Sequence, residues 1–108
     1  MNFEVRTISA FEKEFKKLLK KYPSLKSDLN VLIKQLESNP IQGTSLGKDF
    51  YKIRLSITSK GKGKSAGARI ITCIKISNSV VYLASIYDKS ERSSITDYEL
   101  KFLAHQIG

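Results

Sequence analysis

Lys52 and Arg54 stand two residues apart in the run Tyr51-Lys-Ile-Arg-Leu55, Arg69 opens a second apolar run, and Tyr87 and Lys89 close a third. Several cations with an exposed phenol, as expected of Tyr87 at a strand end, suit a phosphodiester: Lys and Arg neutralise its oxygens, and an aromatic ring stacks on a base. If the substrate is RNA, the nucleophile is already present. A 2′-hydroxyl can attack its own phosphate when cations stabilise the pentavalent charge and some group takes and returns protons.

The charge distribution favours that chemistry. From Phe50 to Tyr87 the chain runs thirty-eight residues without Asp or Glu, while Lys52, Arg54, Lys60, Lys62, Lys64, Arg69 and Lys75 lie within it. Residues 1–48 carry nine Lys/Arg against five Asp/Glu, and residues 88–108 three against four, so most of the unbalanced charge is central. The overall +9 predicts attraction to a polyanion through a field that salt weakens. The lack of carboxylates in this stretch argues against a metal-dependent nuclease; neither a metal nor a cofactor is expected.

The connection Thr58-Ser-Lys-Gly-Lys-Gly-Lys-Ser-Ala-Gly67 is Gly-rich and basic. It does not read as a nucleotide-triphosphate loop: Thr58 occupies the place of the first glycine, and a strand is expected to follow instead of a helix. Lys60, Lys62 and Lys64 are expected to tether RNA phosphates.

Elements must hold these residues together. Asn2 to Thr7 reads as a strand. Ser9-Ala-Phe-Glu12 has capping-box spacing, and Phe11, Phe15, Leu18, Leu19 and Tyr22 form one helical stripe that Pro23 ends. Leu25, Leu29, Leu32, Ile33 and Leu36 repeat at helical spacing up to Ser38-Asn39-Pro40, which predicts a helical hairpin with a shared apolar seam. Ile41 to Asp49 reads as a loop. Phe50 to Ile57, Ala68 to Ile76 and Val80 to Tyr87 read as strands, turning at Ser77-Asn78-Ser79. Thr96-Asp-Tyr-Glu99 predicts a last helix over Asp97 to Gln106, packing through Tyr98, Leu103 and Ile107.

The expected fold is α+β over one domain, residues 1–108: an N-terminal strand and helical hairpin packed on an antiparallel three-stranded meander, with a short C-terminal helix. Period-two alternation puts Lys52 and Arg54 on one face, and a hairpin through 58–67 would bring Arg69 to that face, with its register left open by the long loop. His105 reads as a packing or surface residue. Cys73 is the sole cysteine, which excludes an internal disulfide and fits a reduced compartment. No stretch approaches the roughly 18 apolar residues of a membrane span, so a cytoplasmic protein with no membrane partner is expected.

Tyr51-Lys-Ile-Arg-Leu55, the basic Ser59–Ile71 segment and Ile86-Tyr-Asp-Lys-Ser-Glu91 together resemble the RelE/HigB branch of the RelE/ParE toxin superfamily. The resemblance implies a toxin of a bacterial type II toxin–antitoxin system, a ribosome-dependent endoribonuclease that cleaves mRNA in the A site by 2′-hydroxyl attack, without a metal. It implies a cognate antitoxin, the ribosome and mRNA as partners, and operator DNA for the toxin–antitoxin complex. Lys52, Arg54 and Arg69 match the family's basic strand residues, with Lys52 as general base if its pKa is depressed and the arginines on the phosphate. Tyr87 and Lys89 match the aromatic and basic residues after the last strand. Ser90 departs from the pattern, standing where some relatives carry an arginine. Two other readings share the features: a ParE-like DNA gyrase poison, and a non-catalytic RNA- or ribosome-binding module.

Overall fold

Apolar periodicity switches from helical to strand spacing after Pro40, and the structure follows that switch. The computed structural model describes residues 2–61 and 66–108; Lys62 and Lys64 lie outside the described residues. The chain forms β1 (Glu4–Thr7), α1 (Ser9–Lys21), α2 (Leu25–Ser38), β2 (Thr44–Gly47), β3 (Phe50–Leu55), β4 (Ala68–Lys75), β5 (Val80–Asp88) and α3 (Asp97–Ile107). The strands make one sheet in the order β1-β5-β4-β3-β2.

The β3-β4-β5 meander is antiparallel, as its alternation predicts, but the sheet gains a strand at each edge. β1 pairs with β5 in parallel, Val5 opposite Val81. β2 lies in the segment expected to be a loop and pairs antiparallel with β3, Thr44 opposite Lys52 and Ser45 opposite Tyr51. Its Thr-Ser-Leu-Gly sequence carries almost no strand signal; hydrogen bonding to the edge of β3 makes it a strand. Gly43 brings the chain in with φ +84, and a Cβ there would lie 2.1 Å from the Lys52 carbonyl oxygen. Gly43→Ala is therefore expected to cost more than about 1 kcal/mol, checked by chemical denaturation.

The helical hairpin covers one sheet face. Phe11, Leu18, Leu25, Leu29, Leu32 and Leu36 bury against Ile53, Leu55, Ile70, Ile74, Val81, Leu83 and Ile86. Each such side chain contributes about 1.5–3 kcal/mol when removed from water. Tyr22 turns extended (φ −128, ψ 92) ahead of Pro23, ending α1 as expected. The start of α1 differs from expectation: Ser9 is already helical, Ile8 is the cap residue without a side-chain bond, and Glu12 accepts from the Thr7 hydroxyl instead. The second box is formed: Thr96 Oγ1 accepts from the Glu99 N–H, and Glu99 accepts from the Thr96 N–H.

α3 lies over the other face, making a smaller core of Phe50, Ile71, Cys73, Ala84, Tyr87 and Leu103. Tyr98, expected to pack, is 80% exposed. It projects from a different side of α3 than Leu103, half a turn or so away at 3.6 residues per turn.

Candidate functional site

Strand alternation turns Phe50, Lys52 and Arg54 toward the α3 face and Ile53 and Leu55 toward the hairpin core. Pairing fixes the rest. Arg54 stands opposite Arg69, and Arg69 stands opposite Tyr87, so the three form one row across β3, β4 and β5. Neighbouring strands lie about 4.8 Å apart, so the whole row is about 10 Å wide. Lys52 belongs to the next row, opposite Ile71, which in turn faces Ser85. Lys89 is exposed just beyond β5.

Exposure grades steeply along the row. Arg54 is exposed and Lys52 half-buried, whereas Arg69 is 3% and Tyr87 4% exposed. The Arg69 guanidinium donates to the Ala68 carbonyl at 3.2 Å. Burial and then the nearby Arg54 charge lower its pKa. Tyr87, which sequence reasoning placed at the surface, is enclosed beneath the 89–96 segment and α3, and its hydroxyl is buried without a hydrogen-bond partner among the described residues. Burial pushes the Tyr87 phenol upward, against the opposing pull of Arg92 and Arg69. It is therefore held as a neutral hydrogen-bond donor.

Arg92 completes this corner without any signal in the sequence, because it sits beyond the acid-free stretch and follows Glu91. Its guanidinium lies 4.8 Å from the centroid of the Tyr87 ring. Glu99 holds it at 2.7 Å, and the Ser94 carbonyl accepts from the same group at 2.8 and 3.1 Å. The Arg92 hydrogen bond leads the lowering of the Glu99 pKa to about 2. Glu99 thus caps α3 and anchors Arg92 at once; the Thr-x-x-Glu spacing disclosed only the first role.

Glu14 approaches from α1. β1 ends opposite Leu83, so β5 beyond that point has an open edge. The Glu14 carboxylate fills it, accepting from Ser85 Oγ at 3.0 Å and the Ile86 N–H at 3.3 Å. Burial raises its pKa, partly offset by the Ser85 and Ile86 bonds and by Arg92.

Asp88 follows Tyr87 and points to the opposite side of β5. It is 1% exposed and accepts from Lys60 Nζ at 2.8 Å, Tyr22 Oη at 2.7 Å, the Ser90 N–H at 2.9 Å and Ser90 Oγ at 2.8 Å. Burial opposes its charge, but the Lys60, Tyr22 and Ser90 bonds outweigh that and hold the carboxyl well below the usual range. Lys60, expected as an RNA tether, directs its ammonium inward to Asp88 and to the Ala66 carbonyl at 3.0 Å. Ser90, which stands where the resemblance gives some relatives an arginine, is a partner of the same carboxylate.

Among the described residues no group of His, Cys, Asp and Glu is arranged to hold a metal ion, and no helix is long and apolar enough to cross a membrane. Cys73 is buried and His105 exposed, both away from the cationic row.

A family model described as the RelE toxin of the RelE/RelB toxin–antitoxin system matches residues 10–107. Among solved structures, the chain is similar to a double arginine-to-alanine mutant of the E. coli toxin RelE in the free state. The TM-score is 0.67 at 19% identity, covering 100% of both chains. It is also similar to the isolated E. coli RelE toxin, with a TM-score of 0.56 at 21% identity over 95% of this chain and 97% of that one. No curated protein matches the sequence. At these identities the two structures establish likeness of fold.

Proposed function

Because the chain belongs to the RelE toxin family of toxin–antitoxin systems, we propose that it is a ribosome-dependent endoribonuclease that cuts mRNA in the A site. The observation that carries this reading is the Arg54–Arg69–Tyr87 row, with Arg92 stacked on its inner end. In the proposed reaction the 2′-oxygen of a ribose attacks the adjacent phosphorus and the 5′-oxygen of the next nucleotide leaves. The products are a 2′,3′-cyclic phosphate and a 5′-hydroxyl. Arg54 and Arg69 hold the non-bridging oxygens, where charge builds up in the pentavalent state. Lys52 removes the 2′-proton and Tyr87 or Lys89 supplies one to the leaving oxygen. Lys62 and Lys64 remain proposed phosphate tethers, while Lys60 acts within the fold.

Substrate has to approach from the Arg54 side, where the row is open, because Tyr87 is covered by the 89–96 segment. Family membership implies an antitoxin partner, and the proposed mode of control is an acidic antitoxin segment that covers the cationic face. The toxin–antitoxin complex is proposed to bind its operator DNA, and the setting to be cytoplasmic.

The test is a translating extract read by primer extension on its mRNA. Adding the purified chain is expected to produce discrete cuts that vanish when ribosomes are withheld. Translation arrest without cuts would point to a binding module, and gyrase-dependent DNA breaks to a gyrase poison; either outcome overturns the proposal.

A further inference from the structure

The cationic row does not stop at Arg54. Outside it, between α2 and the edge of β3, lies a groove of about 560 Å³ lined by Val31, Gln35, Gln42, Thr44, Lys52 and Arg54 among others. Backbone direction gives this groove its chemistry. A Cβ on Gly43 would lie 2.1 Å from the Lys52 carbonyl oxygen, so that oxygen points outward to the β2 side. A Cβ on Gly67 would lie 2.1 Å from the Leu55 oxygen, which therefore points inward toward β4. Alternation then turns the N–H and C=O of Arg54 outward. β2 has already ended there, since its last pair is Thr44 with Lys52.

The groove thus offers an adjacent backbone donor and acceptor on its floor. Side-chain amides stand on its rim. Gln35 is exposed, and Gln42 donates through Nε2 to the Asn39 carbonyl at 2.8 Å, which leaves its Oε1 as an acceptor. Val31, 59% exposed, supplies an apolar wall. Asp28 also lines the groove, but its oxygens already accept from Thr58 N, Thr58 Oγ1 and Ser24 Oγ at 2.9, 2.6 and 2.9 Å, so it buttresses the wall.

We infer that this groove binds one nucleobase of the RNA, that of a nucleotide next to the phosphate held by Arg54 and Arg69. The inference rests on the reading of the row as the phosphate site. Two observations favour a base over a peptide strand. The open edge spans only Arg54 to Ser56 before the 3-10 turn at Thr58–Lys60, too short for the several paired residues of an added strand. And Lys52 and Arg54 line the groove at the outer edge of the sheet while their side chains turn to the α3 face, so the phosphates flanking a base seated at that edge would lie beside these cations. Bases splayed out of a single strand are read by hydrogen bonds along their edges, which the Arg54 backbone and the two glutamines provide.

The experiment is NMR titration of the whole 15N-labelled chain with AMP, GMP, CMP and UMP, and with ribose 5-phosphate as the probe lacking a base. At least one nucleotide is expected to shift the Arg54 and Ser56 amides more strongly than ribose 5-phosphate does. The Gln35→Ala/Gln42→Ala variant is expected to weaken that nucleotide by about tenfold, one good hydrogen-bonded contact's worth, with ribose 5-phosphate unaffected. Indistinguishable responses to all five probes overturn the inference. The titration uses neither ribosome nor cleavage. A chain that binds a base here but fails to cut mRNA overturns the nuclease reading alone.

Discussion

Arg69→Ala is expected to lower ribosome-dependent cleavage by about 10²–10³-fold, the usual consequence of removing one preorganised donor to a developing charge, while association with ribosomes largely persists. The expectation comes from its position. Arg69 is the middle member of the row, cross-strand neighbour of both Arg54 and Tyr87, and it is held in a water-poor setting where its charge acts strongly on a bound phosphate. Ribosome binding, if it draws on the distributed +9 charge, is expected to survive the loss of one. Because Arg69 is buried, Arg69→Ala also perturbs packing. Arg54→Ala is the companion variant: its side chain is exposed, so cleavage should fall with little change in thermal stability. Primer extension at saturating ribosomes separates a fall in kcat from one in KM. Undiminished cleavage by the double variant would remove the row from the mechanism.

How far the site could be read from sequence follows from what each signal encodes. Alternation in Tyr51-Lys-Ile-Arg-Leu55 puts Lys52 and Arg54 on one face whatever the surroundings, and that reading holds. Register is not a property of one strand: with a twelve-residue connection between β3 and β4, the Arg54–Arg69 pairing was one possibility among neighbours until the fold selected it. Exposure is further removed still. An exposed Tyr87 was inferred from its position at a strand end, but α3 and the preceding segment cover it, and docking of a short helix with one fully buried residue, Leu103, leaves little trace in its own sequence.

The acid-free stretch misled in one respect for a related reason. A count of charges treats Lys60 like its neighbours, yet its counter-charge, Asp88, lies twenty-eight residues on, at the end of an apolar strand. Likewise Glu14, on α1, lies seventy-one residues from the Ser85 whose hydroxyl it accepts from. Long-range ion pairs and edge-filling carboxylates come from topology. That is why the fold class and the strand-borne cations were legible and the partners of Lys60, Glu14 and Arg92 were not.

Asp88→Asn is expected to cost about 3–5 kcal/mol, the usual loss when one partner of a buried ion pair is removed and the other is left uncompensated. The amide can still accept from Tyr22 and Ser90, but it leaves the Lys60 ammonium, whose side chain is 15% exposed, without its counter-charge. The damage converges on the site. Lys60 binds Asp88 and the Ala66 carbonyl together, and the Lys89 N–H donates to the Gly67 carbonyl at 3.0 Å, so the two feet of the basic connection are fastened to the end of β5 beside Tyr87. Acid should reproduce the effect. The Asp88 pKa is depressed in the fold, so its contribution is complete above the unfolded value near 3.9 and is lost as pH falls below that toward the folded value. Urea melts of wild type and Asp88→Asn should therefore differ most at neutral pH and converge as pH falls below about 4. Removing both charges, as in Asp88→Asn/Lys60→Met, should recover much of the loss, because no ammonium is then buried unpaired. A single variant as stable as wild type at pH 7 would show that Lys60 is not anchored there, and would return it to the pool of cations available to RNA.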